Sequence, residues 1–214
     1  MSITDVALEH TECARVIHAL GVTPCEPDER SLEDVCEGAA AIPSDVFLAL
    51  HRSMRERAEE WPERDWARVS TPALVGHIIE RHHAYLREVT PAILHMTEHL
   101  ARVHRHTELH HHARELFDTL AAHLDYEEQA LFPTLMMHAG EASDAAARRS
   151  ITVTHADHHE IATVQKRLRL SAREGVGFDR CTTRRMLLRE LDHLERDLKR
   201  HTRLEDDILM ARFA

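Results

Sequence analysis

Two segments of the chain each carry a histidine followed four residues later by a glutamate and then by a second acidic residue. The pairs are His123 with Glu127 and His201 with Glu205. On an α-helix, residues four apart lie on one face with Cβ atoms about 5–6 Å apart, so each segment presents an imidazole beside a carboxylate. Inside an apolar interior these groups would cost several kcal/mol each without partners. The repeated pattern therefore predicts a metal site within a helical bundle.

The mixture of imidazole and carboxylate ligands narrows the choice of metal. It suits iron, manganese or zinc rather than copper(I) or an iron–sulfur cluster. The chain has no His-Glu-x-x-His string, which disfavours a zinc peptidase. The Glu-x-x-His spacing of ferritin-like bundles occurs at Glu80–His83 and Glu108–His111, but neither coincides with the repeated pairs. Two glutamates from opposite helices could instead bridge two metal ions in a site that binds O₂ or NO, or that releases iron.

Two further helices of such a bundle would each need to supply one inward ligand. Each contains three candidate histidines, and spacing alone does not choose among them. The candidates are His77, His82 and His83 on the first long helix and His155, His158 and His159 on the third. The remaining histidines include the triplet at 110–112, which points in three directions around a helix, so we interpret it as a solvated face.

Composition and periodicity predict an all-α protein. Aromatic residues make up only 4% of the chain, and helix-forming residues dominate. The first long helix is predicted to open at Thr71-Pro72, and three more span about 108–138, 143–174 and 180–210. Pro91 should kink or interrupt the first of them. Four long helices joined by short loops are typical of an antiparallel up-and-down four-helix bundle.

The charge distribution predicts two domains. Residues 1–65 carry 15 acidic residues against 6 Lys and Arg, whereas the rest of the chain carries 22 against 21. Short helices with turn and capping residues between them, such as Ser31 with Asp34, mark this first part as a small acidic helical domain. The bundle is predicted to occupy residues 70–214.

The net charge and the spacing of the cysteines argue against several kinds of partner and against a disulfide-bonded scaffold. The formal net charge of -10 argues against nucleic acid or an anionic membrane surface as a main partner. No long apolar run or signal peptide is recognisable, so we expect a soluble cytoplasmic protein. The four cysteines have no C-x-x-C spacing, and we interpret them as thiols.

Several strings, taken together, resemble a known family. They are Leu74-Val75-Gly76-His77-Ile78-Ile79-Glu80-Arg81-His82-His83, the segment from His123 to Pro133, Asp157-His158-His159-Glu160, and His201-x-x-x-Glu205. In order and spacing they resemble the hemerythrin-like di-iron proteins of the repair-of-iron-centres family, over about residues 70–210.

This resemblance implies a left-handed four-helix bundle holding two non-haem iron ions joined by an oxo or hydroxo bridge. The implied ligands are four terminal histidines and two bridging glutamates: His83, His123, His158, His201, Glu127 and Glu205. The resemblance also implies a further histidine near the site, His104, which we assign to the surroundings of the ligands. Asp157 and Glu128 are candidates to orient ligand imidazoles.

The function that the resemblance implies is repair and protection of iron–sulfur clusters under nitrosative or oxidative stress. The protein would carry out this repair either by donating iron or by reducing NO. The implied partners are O₂ or NO as small ligands and iron–sulfur proteins as clients. The chain departs from the family at Pro24-Cys25-Glu26-Pro27, where the family carries adjacent cysteines. An O₂ or NO carrier or sensor without turnover is therefore the first alternative, and a purely structural bundle is the second.

Overall fold

The computed structural model describes residues 3, 5–6, 10, 13–22, 29–58, 65–137, 145–174 and 181–213. Most of these residues lie in helices, and none of them lies in a β-strand. The protein is thus all-α, as the composition predicts. No helix in these ranges combines the length and apolar character needed to cross a bilayer.

Among the described residues of the N-terminal part, three helices are α1 (Ala14–Ala19), α2 (Leu32–Gly38) and α3 (Pro43–Ala58). The predicted cap at the start of α2 is present. The Ser31 hydroxyl accepts from the Asp34 backbone N–H at 3.1 Å, and the Asp34 carboxylate accepts from the Ser31 N–H at 2.9 Å. This reciprocal pair satisfies donors that the first helical turn otherwise leaves without partners.

The cysteines agree with their interpretation as thiols wherever they are described. Cys13, Cys36 and Cys181 are buried and not joined in disulfides. Cys25 lies outside the described residues.

Four long helical stretches follow, close to the predicted bounds. They are α4 (71–104), α5 (107–137), α6 (145–173) and α7 (182–213). Of the two effects predicted for Pro91, an interruption is wrong, because the helix continues from Ala84 to His104 with Pro91 inside it, and a kink stays a prediction. Pro91 lies on the exposed side, where water can reach a backbone carbonyl that lacks its helical donor.

The chain packs as two compact units. The first consists of Met1–Pro62, Pro91–His110 and Arg169–Asp192. The second consists of Glu63–Thr90, His111–Leu168 and His193–Ala214. The division into domains at residues 65–70 stays a prediction.

Successive long helices run in opposite directions. In the second unit the contacts that show this join His83 to Glu128, Arg87 to Asp125, His123 to Asp157, Glu115 to Arg167, His82 to Asp197 and Thr71 to Arg212. In the first unit Arg169 contacts Asp192 and Arg184 contacts Ala172. In each case residue numbers rise along one helix as they fall along its neighbour. The arrangement is the predicted antiparallel bundle.

An apolar core fills one part of the second unit. Its largest members include Leu74, Ile78, Phe132, Leu209 and Phe213, all at most 3% exposed. They come from three different helices, so the core fixes the rotation of each helix about its axis. The candidate ligands lie on the same three helices and on α6, and this packing determines where they point.

Candidate metal centre

Six side chains from four helices meet in the interior of the second unit. Their residues are His83 on α4, His123 and Glu127 on α5, His158 on α6, and His201 and Glu205 on α7, with exposures of 0, 3, 0, 9, 1 and 0%. Buried histidines and glutamates at this density are uncommon, because each needs a partner inside the protein. Their mutual distances show what that partner could be.

One group forms around His83 and His201. Their Nε2 atoms are 3.2 Å apart. Glu205 Oε1 lies 2.9 Å from His201 Nε2, and Glu127 Oε2 lies 3.3 Å from His83 Nε2. One atom from each of these four residues lies within 4.8 Å of the others, which is the spacing of ligands around a single ion.

A second group forms around His123 and His158 and uses the other oxygens of the same two glutamates. Glu127 Oε1 lies 3.3 Å from His123 Nε2 and 3.8 Å from His158 Nε2. Glu205 Oε2 lies 3.1 Å from His158 Nε2. Each carboxylate thus gives one oxygen to each histidine pair, and the two groups share both glutamates.

Three of the four helices change their winding at this cluster. Ile78–His83, Glu127–Leu131 and Leu204–Leu209 form π-helical turns, and they contain His83, Glu127 and Glu205. A π-turn bonds residues five apart instead of four, which widens the helix locally and is frequent at functional sites. Nothing in the residue spacing predicts these turns, because they interrupt an otherwise regular apolar period.

Several polar atoms of the cluster make no hydrogen bond of good geometry. Among the described residues, neither oxygen of Glu127 has a hydrogen-bond partner, and Glu205 Oε2 and His158 Nε2 have none either. A buried acceptor left in this state costs about 1–3 kcal/mol, and more when it is charged. Cations held by imidazole nitrogens and carboxylate oxygens would satisfy all of these atoms, so the residues present fit iron, manganese or zinc.

Two of the histidines are fixed from their outer side by carboxylates. His83 Nδ1 lies 2.7 Å from Glu128 Oε1, which also accepts from the Arg87 guanidinium at 2.8 Å. His158 Nδ1 lies 2.9 Å from Asp206 Oδ1. A proton on each Nδ1 leaves the Nε2 lone pair directed into the cluster, as a metal ligand requires.

The sequence predicts that Glu128 orients a ligand imidazole, and the structure places it beside His83. The equivalent role of Asp206 beside His158 is not among the predictions. The signal was in the repeat itself, because Glu128 follows Glu127 as Asp206 follows Glu205. The acidic residue after each cluster glutamate reaches the histidine of the preceding helix. Asp157 is placed less closely than expected, with its Oδ2 3.6 Å from His123 Nδ1.

The other candidate histidines have different surroundings. His82 is fully buried and its Nδ1 lies 2.9 Å from Asp197, while its ring stacks on that of His201 at 5.6 Å. The ring of His77 packs 4.0 Å from Trp66. His159 is exposed. Neither of the two buried groups includes any of these three histidines, nor His104 or His155.

The carboxylates around two of the cluster histidines raise the pKa of each imidazole. Burial alone would lower the pKa of His83, but the carboxylates of Glu127, Glu205 and Glu128 raise it to about 10. Burial likewise opposes charging of His158, but Asp206 and the two cluster glutamates raise its pKa to about 11.

The pKa values of His123 and Glu205 in the same cluster are also shifted. Burial lowers the pKa of His123, which favours its neutral form. Burial acts to raise the pKa of Glu205, but the imidazoles of His201, His158 and His83 hold it well below its usual value. Protonated His83 and His158 would therefore offset the charge of the carboxylates at neutral pH, and a bound metal would replace those protons.

Comparison with known proteins finds a family model that matches the helical bundle and several proteins of similar sequence. The model described as Hemerythrin HHE cation binding domain matches residues 74–213. The chain is similar to three proteins named iron-sulfur cluster repair protein YtfE. The protein of Enterobacter sp. (strain 638) is 29% identical over 170 residues, covering 77% of this chain and 76% of that protein. That of Escherichia coli O157:H7 is 27% identical over 186 residues (84% and 82%), and that of Salmonella paratyphi B is 26% identical over 180 (81% and 80%).

Proposed function

The chain belongs to the hemerythrin HHE cation-binding family, and from that premise we propose that its buried cluster binds two non-haem iron ions and acts in the repair of iron–sulfur centres. His83 and His201 would hold one ion, and His123 and His158 the other. Glu127 and Glu205 would bridge the two.

One observation carries this proposal. Each of the two glutamates directs one oxygen at one histidine pair and its second oxygen at the other pair. A single ion would need only one of the two groups. Two groups that share both carboxylates are the arrangement that bridged ions require, and they support a stoichiometry of two.

The residues of the chain would hold and tune such a centre. Glu128 and Asp206 orient His83 and His158 through their Nδ1 protons, which keeps the two Nε2 atoms basic and directed inward. The surrounding apolar core excludes bulk water. Each position has four protein donors, fewer than an octahedral ion accepts, which leaves room for a small ligand. Bound iron would supply redox chemistry and binding of a diatomic molecule.

The names of the relatives support the biological role. Proteins called iron-sulfur cluster repair protein are similar to more than three quarters of this chain. We propose that this protein serves the same purpose in the cytoplasm under nitrosative or oxidative stress, with iron–sulfur proteins as clients. It would act either by donating iron to them or by reducing NO before it damages them.

A carrier or sensor of O₂ or NO is the second candidate function. It is favoured by the segment Pro24-Cys25-Glu26-Pro27, which lacks adjacent cysteines and lies outside the described residues. Without a thiol pair, the chain has fewer groups that could pass on electrons or iron.

Metal content tests the bridging role of the glutamates. We expect protein made in iron-supplied cells to contain two irons per chain and E127Q or E205Q to lose most of that iron, because each removes a charged donor from both positions. E195Q is the matched control, since Glu195 lies on the same helix as Glu205 and contacts Lys199 at the surface. Normal iron in both E127Q and E205Q, or zinc in the wild type, would refute the proposal.

The reaction with NO separates enzyme from carrier. Conversion of two NO molecules to N₂O and water consumes two electrons and two protons, and a pre-reduced centre of two ferrous ions holds two electrons. Anaerobic addition of NO to the reduced protein should then release one N₂O per centre if it reduces NO. Stoichiometric binding of NO with no N₂O would indicate a carrier or sensor, and transfer of iron to an apo iron–sulfur protein would indicate a donor.

A further inference from the structure

A second group of metal-binding side chains lies on α5, outside the buried cluster. We propose that His111, His112 and Glu115 form a separate site for a borderline divalent transition-metal ion such as Zn²⁺ or Co²⁺. One ligand atom from each residue lies within 4.8 Å of the others. The proposal does not depend on iron in the buried cluster.

Helical spacing brings these three residues together. His111 and His112 precede Glu115 by four and three residues, the two spacings at which a helical side chain can reach the side chain one turn further on. The three histidines of the 110–112 triplet do not form one site, in agreement with their spacing around the helix. His110 instead has its Nδ1 3.1 Å from the Thr97 hydroxyl.

Glu115 is already oriented for binding. Its Oε1 accepts a hydrogen bond from the Arg167 guanidinium at 2.9 Å. The other oxygen, Oε2, lies 3.7 Å from His112 Nδ1, which is too far for a hydrogen bond. Two donors on one tetrahedral Zn²⁺ ion lie about 3.4 Å apart, so a shift of a few tenths of an ångström would let an ion sit between these atoms.

His112 supplies an independent indication of a ligand. Its Nδ1 is buried and has no hydrogen-bond partner among the described residues, although the side chain as a whole is 21% exposed. Such an atom costs about 1–3 kcal/mol when nothing pairs with it. It faces Glu115 Oε2, and a bound cation would satisfy both atoms at once.

The donor set selects the class of metal. Two imidazoles and one carboxylate suit Zn²⁺, Co²⁺, Ni²⁺ or Cu²⁺, with water completing the coordination because His111 is exposed. Ca²⁺ and Mg²⁺ prefer oxygen ligands, of which the site offers one. Arg167 offsets the charge of Glu115, so the site has no excess negative charge that would attract cations indiscriminately.

Cobalt(II) titration of the full-length, iron-loaded protein tests the site. We expect the wild type to bind one more Co²⁺ than H112N or E115Q, with visible absorption bands that these variants lose. The matched control is H110N, which changes the neighbouring histidine of the same triplet and should keep the extra equivalent. Equal Co²⁺ binding by wild type, H112N and E115Q would overturn the proposal, and so would an equal loss in H110N.

Histidine resonances give a second test that does not depend on substitution. In protein labelled with ¹⁵N-histidine, substoichiometric Co²⁺ should broaden the signals of His111 and His112 first. Preferential broadening of other histidines would place the ion elsewhere and overturn the proposal. Circular dichroism melting curves of the variants check that the loss of one bound Co²⁺ is not caused by unfolding of the variant.

Discussion

The acidic residue after each cluster glutamate holds a histidine of the preceding helix. Glu128 contacts His83 at 2.7 Å and Asp206 contacts His158 at 2.9 Å, whereas Asp157 stands 3.6 Å from His123. A carboxylate on the outer nitrogen fixes the tautomer and raises the basicity of the inner one. The three acids therefore differ in how strongly they should affect metal binding.

We predict that E128Q weakens metal binding by about 10–100-fold, the usual effect of losing such a partner. D157N should change the affinity much less, because its oxygen lies beyond hydrogen-bond distance of the imidazole. Competition with a chelator of known affinity measures both. A larger loss in D157N than in E128Q would contradict this account of how the ligands are oriented.

The protons of the metal-free cluster predict how stability depends on pH. A histidine whose pKa is raised by folding stabilises the folded state fully below the unfolded value of 6.5, and this contribution disappears as pH rises through the folded value. For His83 and His158 the folded values are about 10 and about 11. Glu205 behaves oppositely, with a lowered pKa whose contribution is present above 4.5 and is lost in acid.

We therefore expect the unfolding free energy of the metal-free protein to fall as pH rises from 6.5 towards 10. Urea denaturation at several pH values measures it. H158N should flatten the slope, because it removes one of the two protons, whereas H159N changes an exposed neighbour and should not. A stability that rises over this interval would show that the cluster does not hold these protons.

At the scale of helices, the π-turns set the positions of three cluster residues. A π-turn is equivalent to one residue inserted into an α-helix, so the helix on either side keeps its register. In α5 the turn Glu127–Leu131 follows directly on the α-helical residues that carry His123. The widened backbone determines where Glu127 points relative to that histidine.

Deleting Gln129, an exposed residue in this turn, should convert it to a regular α-helix. We expect the variant to fold with normal helix content but to bind iron substoichiometrically, because Glu127 no longer reaches both histidine pairs. Q129A, which keeps the residue count, should bind iron normally. Iron analysis and circular dichroism measure the two properties, and full iron in the deletion variant would show that the π-turn is dispensable.

These elements also show how far the sequence alone could go. The bundle was predictable because caps, helix formers and long periodic segments are local features, and His123 with Glu127 shares a face by spacing alone. The spacing alone could not predict that His83 rather than His77 or His82 joins the cluster, because three histidines within seven residues cover several faces of the helix. His82 and His83 are both buried, and only the tertiary packing determines which of them reaches the two glutamates. The π-turns are not indicated by the residue spacing either.

At the scale of the whole molecule, the cluster and its core belong to one of the two packing units. All six cluster residues lie in the second unit, on segments from four helices that are far apart in sequence. A metal bound there would cross-link helices whose interior carries buried carboxylates and imidazoles. Its binding energy would add to the stability of that unit, because the unfolded chain does not present the site.

Removal of the metal should therefore lower thermal stability. For a ligand present at a hundred times its dissociation constant the stabilisation is about 2.7 kcal/mol, which corresponds to a melting temperature about 5–10 °C higher for a chain of this size. We expect chelation to lower the melting temperature of the wild type by that amount and to leave the double variant E127Q/E205Q unchanged.

Hydrogen exchange shows where in the molecule that stability resides. After chelation, backbone amides of the second unit around the cluster, at residues 120–130 and 198–206, should exchange faster, because loss of the ions leaves buried charges that favour local opening. Amides of α2, in the first unit, should change least. Equal acceleration in α2 and at the cluster would mean that the molecule opens as one cooperative body, and no acceleration at the cluster would mean that the metal does not bind there.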